Sequence, residues 1–206
     1  MTTFINVRGC NGSGKTHLLR QFGLDPLCRV ENIENIRHTV KDKNHLLPGN
    51  TIECAHSPIP VTYCPGGIAI LGDYTPAAAG STTAGCDRIK TQEATKKALE
   101  FIGRDPEVKF VLFEGVVVST IFGPWRNWAA LHGGMVWAFL DTPLEKCLSR
   151  IQTRNGGKPV KEDQVADKHR TSARVRDKCV FHGLRVLDLD HEQCFDQLLN
   201  AMAEEK

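Results

Sequence analysis

No apolar run in the 206 residues approaches the length of a membrane span, so no membrane partner is expected. No C-x-x-C pair occurs among the eight cysteines, which are scattered from Cys10 to Cys194. Cys54, His56, Cys64 and Cys86 come nearest to a zinc set, but their loose spacing reads better as buried or incidental thiols. Such thiols fit a reducing, cytoplasmic location. There is little excess charge of either sign: 26 Lys and Arg against 24 Asp and Glu leave a formal +2, and bulk charge does not announce nucleic acid. The dinucleotide pattern G-x-G-x-x-G is missing, as are internal repeats and low-complexity tracts. The first strand-like run begins at Thr3, so no signal peptide is expected. The remaining composition, 41% hydrophobic, suffices for the core of one α/β domain over residues 1–206.

What is present begins at Gly9. Gly9-Cys10-Asn11-Gly12-Ser13-Gly14-Lys15-Thr16 fits G-x-x-x-x-G-K-S/T without a gap. The apolar, β-branched run Thr3–Val7 precedes it as a strand, and Thr16–Phe22 follows with helical spacing, which is the context the motif needs. Glycines let the backbone wrap a phosphate chain with its N–H groups turned inward, and the helix N-terminus adds positive potential. Lys15 is expected to reach the β- and γ-phosphates of ATP, and the Thr16 hydroxyl to ligate Mg²⁺.

Further along, polar residues Glu31–Asn50 read as irregular connection with one short element at most. Val61–Tyr63 and Ile68–Leu71, split by Cys64-Pro65-Gly66-Gly67, read as a hairpin, followed by a small-residue loop from Asp73 to Asp87. Thr91–Ile102 is predicted helical, Val108–Phe113 a central strand ending in Glu114-Gly115, and the Trp125–Leu131 segment helical. Met135–Leu140 is a strand ending at Asp141, Leu144–Thr153 a helix closing on Arg154-Asn155-Gly156-Gly157, and Lys161–Phe181 a mostly polar helix. Arg185–Leu189 and Glu192–Ala203 supply a last strand and helix. Strands alternating with helices imply a doubly wound parallel sheet, with ligands at the carboxyl ends of the strands, where Gly9, Glu114, Asp141 and Asp190 fall.

Several side chains offer chemistry there. Glu114 ends an apolar strand beside the phosphate loop, where it can bind Mg²⁺ through water or accept a proton from an attacking hydroxyl. Its alternative is to cap the next helix. Asp73 and Asp87 bracket the small-residue loop: one is expected to orient or deprotonate the acceptor, with Arg88 or Lys90 holding its phosphate or backbone. Tyr74 either stacks on a base or closes the hairpin. Arg150 and Arg154, four apart on one helical face ahead of a Gly-Gly hinge, suit guanidiniums directed at triphosphate oxygens. Between Glu145 and Arg185 eleven Lys and Arg stand against five Asp and Glu, so the segment at about 150–180 reads either as a phosphate-handling lid or as a solvated face. Trp125, Trp128 and Trp137 read as core, and Asp188 and Asp190 as caps or as lining of a base pocket.

In order, the phosphate loop, the strand ending in Glu114-Gly115, Phe139-Leu140-Asp141-Thr142-Pro143 and the Arg150/Arg154 pair resemble the nucleotide-kinase branch of P-loop NTPases, thymidylate-kinase relatives in particular. Gly85–Gln92, Phe113–Thr120 and Leu187–His191 are similar to bacteriophage P-loop kinases that phosphorylate 5-hydroxymethyluracil in DNA during thymine hypermodification. The resemblance runs over most of the chain. It implies a nucleotide-kinase fold with a helical lid, ATP and Mg²⁺ as donor and cofactor, and hydroxymethyluracil DNA as acceptor. Catalytic roles would fall to Lys15, Glu114, Asp73, Arg150 and Arg154, acceptor binding to Asp73, Tyr74, Asp87 and Arg88, and metal binding to Thr16 and Glu114. One departure is that Glu114-Gly115 stands where thymidylate kinases carry Asp-Arg, which argues against free thymidylate. The alternatives are a kinase for free deoxynucleoside monophosphates and a P-loop ATPase without an acceptor.

Overall fold

A computed structural model describes residues 2–41, 51–55, 57–76 and 85–205. Along the chain these form β1 (Thr3–Arg8), α1 (Lys15–Gly23), β2 (Arg29–Ile33), β3 (Arg37–Lys41), β4 (Thr51–Ala55), β5 (Ile59–Cys64) and β6 (Ile68–Leu71). After a 3-10 turn at Gly85–Arg88 come α2 (Gln92–Ile102), β7 (Phe110–Glu114), α3 (Val116–Thr120), α4 (Gly123–Leu131) and β8 (Val136–Asp141). The chain closes with α5 (Leu144–Arg154), α6 (Glu162–Phe181), β9 (Val186–Asp190) and α7 (Cys194–Ala203).

Seven strands join in the order β2-β5-β6-β7-β1-β8-β9. The five from β6 to β9 run parallel, and β5 and β2 extend one edge antiparallel. The expected α/β class with a mainly parallel sheet is therefore present, widened by an antiparallel margin. β7, in the middle, is buried at every residue, as a parallel strand covered on both faces must be. Alternation sends Phe4, Val111, Phe113, Trp137 and Phe139 into one core with α2, α4 and α6, and Ile5, Val7, Leu112, Ala138 and Leu140 into the other with α1 and α7. The three tryptophans are buried in the first of these cores.

Three features depart from the sequence reading. The stretch Glu31–Asn50, read as irregular with one short element at most, holds the end of β2 and all of β3, which pairs with β4 just beyond it; residues 42–50 lie outside the described residues, as do residues 77–84 of the small-residue loop. Cys28 and Cys64 are joined as a disulfide across the β2–β5 edge, so the reading of every cysteine as a thiol does not hold for this pair. His56 of the imagined zinc set lies outside the described residues, and Cys64 is committed to Cys28. Finally, α6 is anchored along its length by Val165, Ser172, Val175 and Cys179, short side chains hidden among charges. Among the described residues no helix is long and apolar enough to cross a membrane.

Arg8 is the least expected member of the core. Burial lowers its pKa to about 9, yet the guanidinium retains partners for its charge. It donates to the carbonyls of Ser119 (3.1 Å) and Ile121 (3.2 Å) at the end of α3 and lies 4.2 Å from the centre of the Trp137 ring. This fastens the strand that feeds the phosphate loop to α3.

Candidate active site

The chain leaves β1 at Arg8, enters α1 at Lys15, and arches between them as the phosphate loop. Its carbonyls are claimed by side chains. The Lys15 ammonium donates to Gly9 O and Cys10 O, both at 2.9 Å. The Thr142 hydroxyl donates to Ser13 O (2.8 Å), and Arg150 Nη1 donates to Ser13 O (3.1 Å) and Gly12 O (3.4 Å). Among the described residues no group of the fold accepts from the amides of Gly12, Gly14, Lys15 and Thr16, and the buried Ser13 hydroxyl is also without a partner. Unclaimed amides at the head of a helix beside an orphaned hydroxyl fit a polyphosphate. Gly12 has φ +79°, and a Cβ there would stand 2.3 Å from Cys147 O of α5, so only glycine lets the loop pass so close.

Beneath the loop, β7 pairs with β1 so that Glu114 lies opposite Val7. Its carboxylate is 2% exposed, and Oε1 accepts from the Thr16 hydroxyl (2.8 Å) and the Tyr74 hydroxyl (3.1 Å). Burial raises the Glu114 pKa, opposed by the Lys15 charge and by the two hydroxyl donors. Burial, and then Glu114 itself, hold the Tyr74 phenol well above its ordinary value, so it stays a donor. The hydroxyl and the carboxylate proposed from the sequence as metal ligands are thus in contact. An all-oxygen pair suits Mg²⁺, a hard ion that keeps several waters. Among the described residues no group of three or more His, Cys, Asp or Glu side chains gathers into a denser metal site.

The remaining sequence candidates divide. Arg150 is on the loop, but Arg154, one turn on, is exposed and away from it. Tyr74 is not a base-stacking platform: at 1% exposure its ring offers no open face, and its hydroxyl is spent on Glu114. The Asp87 carboxylate, exposed at the 3-10 turn, accepts from the amides of Val116 (2.9 Å) and Val117 (3.3 Å) at the head of α3. Asp73 accepts from the amide (3.1 Å) and hydroxyl (2.8 Å) of Thr75, a local turn that does not bring it to Glu114. Arg88 is exposed at the end of the 3-10 turn. Asp190 caps the turn before α7, accepting from Glu192 N (2.8 Å) and Gln193 N (3.2 Å), while Asp188 pairs with Arg176.

Two cavities are lined by loop residues, one of about 260 Å³ at Gly9, Cys10 and Ser13 and one of about 330 Å³ at Ser13 and Gly14, and a third lies beside the 3-10 turn. The second is lined by Ser13, Gly14, His17, Leu140, Arg150, His191 and Cys194, on the α1 and α7 face. The third, also of about 330 Å³, lies on the opposite face between the 3-10 turn, the start of α2, and α3, lined by residues that include Asp87, Lys90, Thr91, Gln92 and Val117. The sequence reading missed Thr142, Cys147 and His191. Thr142 lies within Leu140-Asp141-Thr142-Pro143 and was the one within reach, since it follows a strand end aimed at the loop.

A phosphate loop on a parallel sheet, with a buried carboxylate set against the loop threonine, defines a P-loop NTPase-like protein. A family model described as 5-hmdU DNA kinase matches residues 48–192, a span that begins after the phosphate loop. A 5-hmdU DNA kinase of Pseudomonas phage M6 is 65% identical over 189 residues, covering 92% of this chain and 91% of that one. A 5-hmdU DNA kinase 1 of Salmonella phage ViI is 31% identical over 79% of this chain and 64% of its own length. A 5-hmdU DNA kinase of Bacillus phage SP10 is 29% identical over 91% of this chain and 26% of its own length. The chain belongs to the 5-hmdU DNA kinase family.

Proposed function

We propose that this chain transfers the γ-phosphoryl group of ATP to the 5-hydroxymethyl oxygen of 5-hydroxymethyluracil in phage DNA, giving 5-phosphomethyluracil in the host cytoplasm. The names and phage origin of its relatives support the acceptor, and the contact of the Thr16 hydroxyl with Glu114 beneath a phosphate loop carries the chemistry.

The loop amides bind the β- and γ-phosphates, and Lys15 leaves the Gly9 and Cys10 carbonyls to follow them. Arg150, already on the loop, neutralises charge from the α5 side, and Arg154 joins it when the Gly156-Gly157 turn closes as a lid. Thr16 and Glu114 would hold Mg²⁺, which would offset the negative charge that builds on the phosphates. The acceptor base leaves the stack, or is met in single-stranded form, so that its hydroxyl can lie in line with the γ-phosphorus. Glu114 receives the hydroxyl proton as the new P–O bond forms and ADP departs.

Labelled ATP offered with hydroxymethyluracil DNA tests this. Transfer by the wild type is expected, with a loss on the order of 10²-fold or more in Lys15→Ala at unchanged folding. Near-normal turnover in a folded Lys15→Ala protein would show that Gly9–Thr16 is not the donor site.

A further inference from the structure

Glu114 has two carboxylate oxygens, and both hydroxyl donors that reach it use the same one. Thr16 Oγ1 (2.8 Å) and Tyr74 OH (3.1 Å) converge on Oε1. The phenol therefore does no work on the substrate side of the site. It holds one oxygen of a buried carboxylate in place and leaves Oε2 for other partners.

The tyrosine is itself held from two directions. The Thr62 hydroxyl of β5, fully buried, donates to Gly72 O (2.8 Å) and accepts from Tyr74 N (3.0 Å), which fixes the backbone that leaves β6. From the other side Gly85 closes over the phenol with φ +68°. A Cβ there would fall 2.6 Å from Tyr74 OH, 2.8 Å from Glu114 O and 3.3 Å from Glu114 Oε1. A chain of contacts thus runs from the antiparallel margin through Tyr74 to the carboxylate and on to the first turn of α1.

We propose that Tyr74 is a positioning residue for the transfer reaction: it fixes Glu114 through Oε1 so that Oε2 faces the nucleotide-bound metal and the acceptor hydroxyl. The inference rests on the reading of Glu114 given above. A carboxylate on three side-chain torsions would otherwise sample orientations that turn both oxygens from the site.

Tyr74→Phe keeps the ring and removes only the hydroxyl. With a fluorescent ATP analogue, Tyr74→Phe is expected to lose about ten-fold of the affinity gained on adding Mg²⁺, while Mg²⁺-free binding stays at the wild-type value in a protein that remains folded. On hydroxymethyluracil DNA, kcat is expected to fall about ten-fold with KM for the DNA unchanged. In a Glu114→Gln background the same change should have no further effect on Mg²⁺-dependent binding, since Tyr74 acts through the carboxylate. Gly85→Ala, which drives a methyl group at the phenol, is expected to reproduce the loss and keeps the test open should Tyr74→Phe fold poorly. Wild-type Mg²⁺-dependent affinity in Tyr74→Phe, or an equal loss in the Glu114→Gln background, would overturn the inference. A wild-type protein inactive on hydroxymethyluracil DNA, with the binding pattern intact, would remove the acceptor reading and leave the role of Tyr74 standing.

Discussion

At the first variable position of the phosphate loop, the Cys10 sulfur lies 3.3 Å from that of Cys147 in α5, and both side chains are buried. The hydrogen bond between the two sulfurs, helped by Lys15 and His169, lowers the Cys10 pKa to about 7, while the same bond and burial raise that of Cys147. Cys10 also lines a cavity of about 260 Å³ between the loop and α6, through which a small reagent can reach it. Alkylation of Cys10 by iodoacetamide, followed by peptide mass analysis, is expected to rise with pH about a midpoint near 7. A midpoint at the ordinary thiol value would contradict the pairing. Nothing in the motif announces this contact, because Cys147 lies far along the chain on an element that only the fold brings back.

Glu114 behaves in the opposite sense, since burial raises its pKa above the ordinary 4.5. As pH rises through 4.5 the unfolded chain releases its proton first, so the folded state holds more protons and stability declines until the folded group has ionised. The contribution is therefore present at low pH and lost towards neutrality. Glu114→Gln is expected to melt higher than wild type near pH 7, with the gap closing towards about pH 4, and to lose transfer. Equal melting curves at neutral pH would mean that the carboxylate is not held in a costly environment.

Among the elements, those whose apolar spacing matches their period were legible: β1, α2, β7, β8 and α5 start and end within two residues of the sequence reading. β2 was not, because Arg29-Val30-Glu31-Asn32-Ile33 buries only its last residue and owes its conformation to backbone pairing with β5. α3 is harder still, since Val116-Val117-Val118 favours a strand on propensity alone. It coils because Asp87 takes its first two amides and Arg8 its last carbonyls, two partners remote in sequence. The polar appearance of α6 fits a lid and a solvated face alike, and its few small apolar residues fall on one buried face. We propose that the Arg154–Lys161 stretch, with its two glycines, is the part that moves. Hydrogen exchange with and without a non-hydrolysable ATP analogue is expected to show new protection at residues 154–161, with α6 protected in both states from Val175 to Cys179. Unchanged exchange at residues 154–161 would make the Gly-Gly turn a simple connection.

For the whole molecule, the order of strands and helices was enough to anticipate a parallel sheet and to bring Gly9 and Glu114 together at its carboxyl edge. Glu114 ends β7 and Gly9 directly follows its neighbour β1, and the Thr16–Glu114 contact lies at that shared edge. The acceptor side was less legible. Of its four candidates, Tyr74 and Asp87 serve the framework and Asp73 its own turn, because short polar side chains in loops look alike in sequence whether they hold the chain or a ligand.

Under the proposed function, the acceptor is the hydroxymethyl oxygen of a base carried in DNA. Its direct measurement is mass analysis of nucleosides after reaction with ATP and Mg²⁺, on three acceptors: hydroxymethyluracil DNA, the same sequence with thymine, and free deoxynucleoside monophosphates. One added phosphoryl group on hydroxymethyldeoxyuridine is expected from the first acceptor alone, at a rate falling steeply with salt as DNA contacts are screened. Robust phosphorylation of a free monophosphate, with none on hydroxymethyluracil DNA, would contradict it.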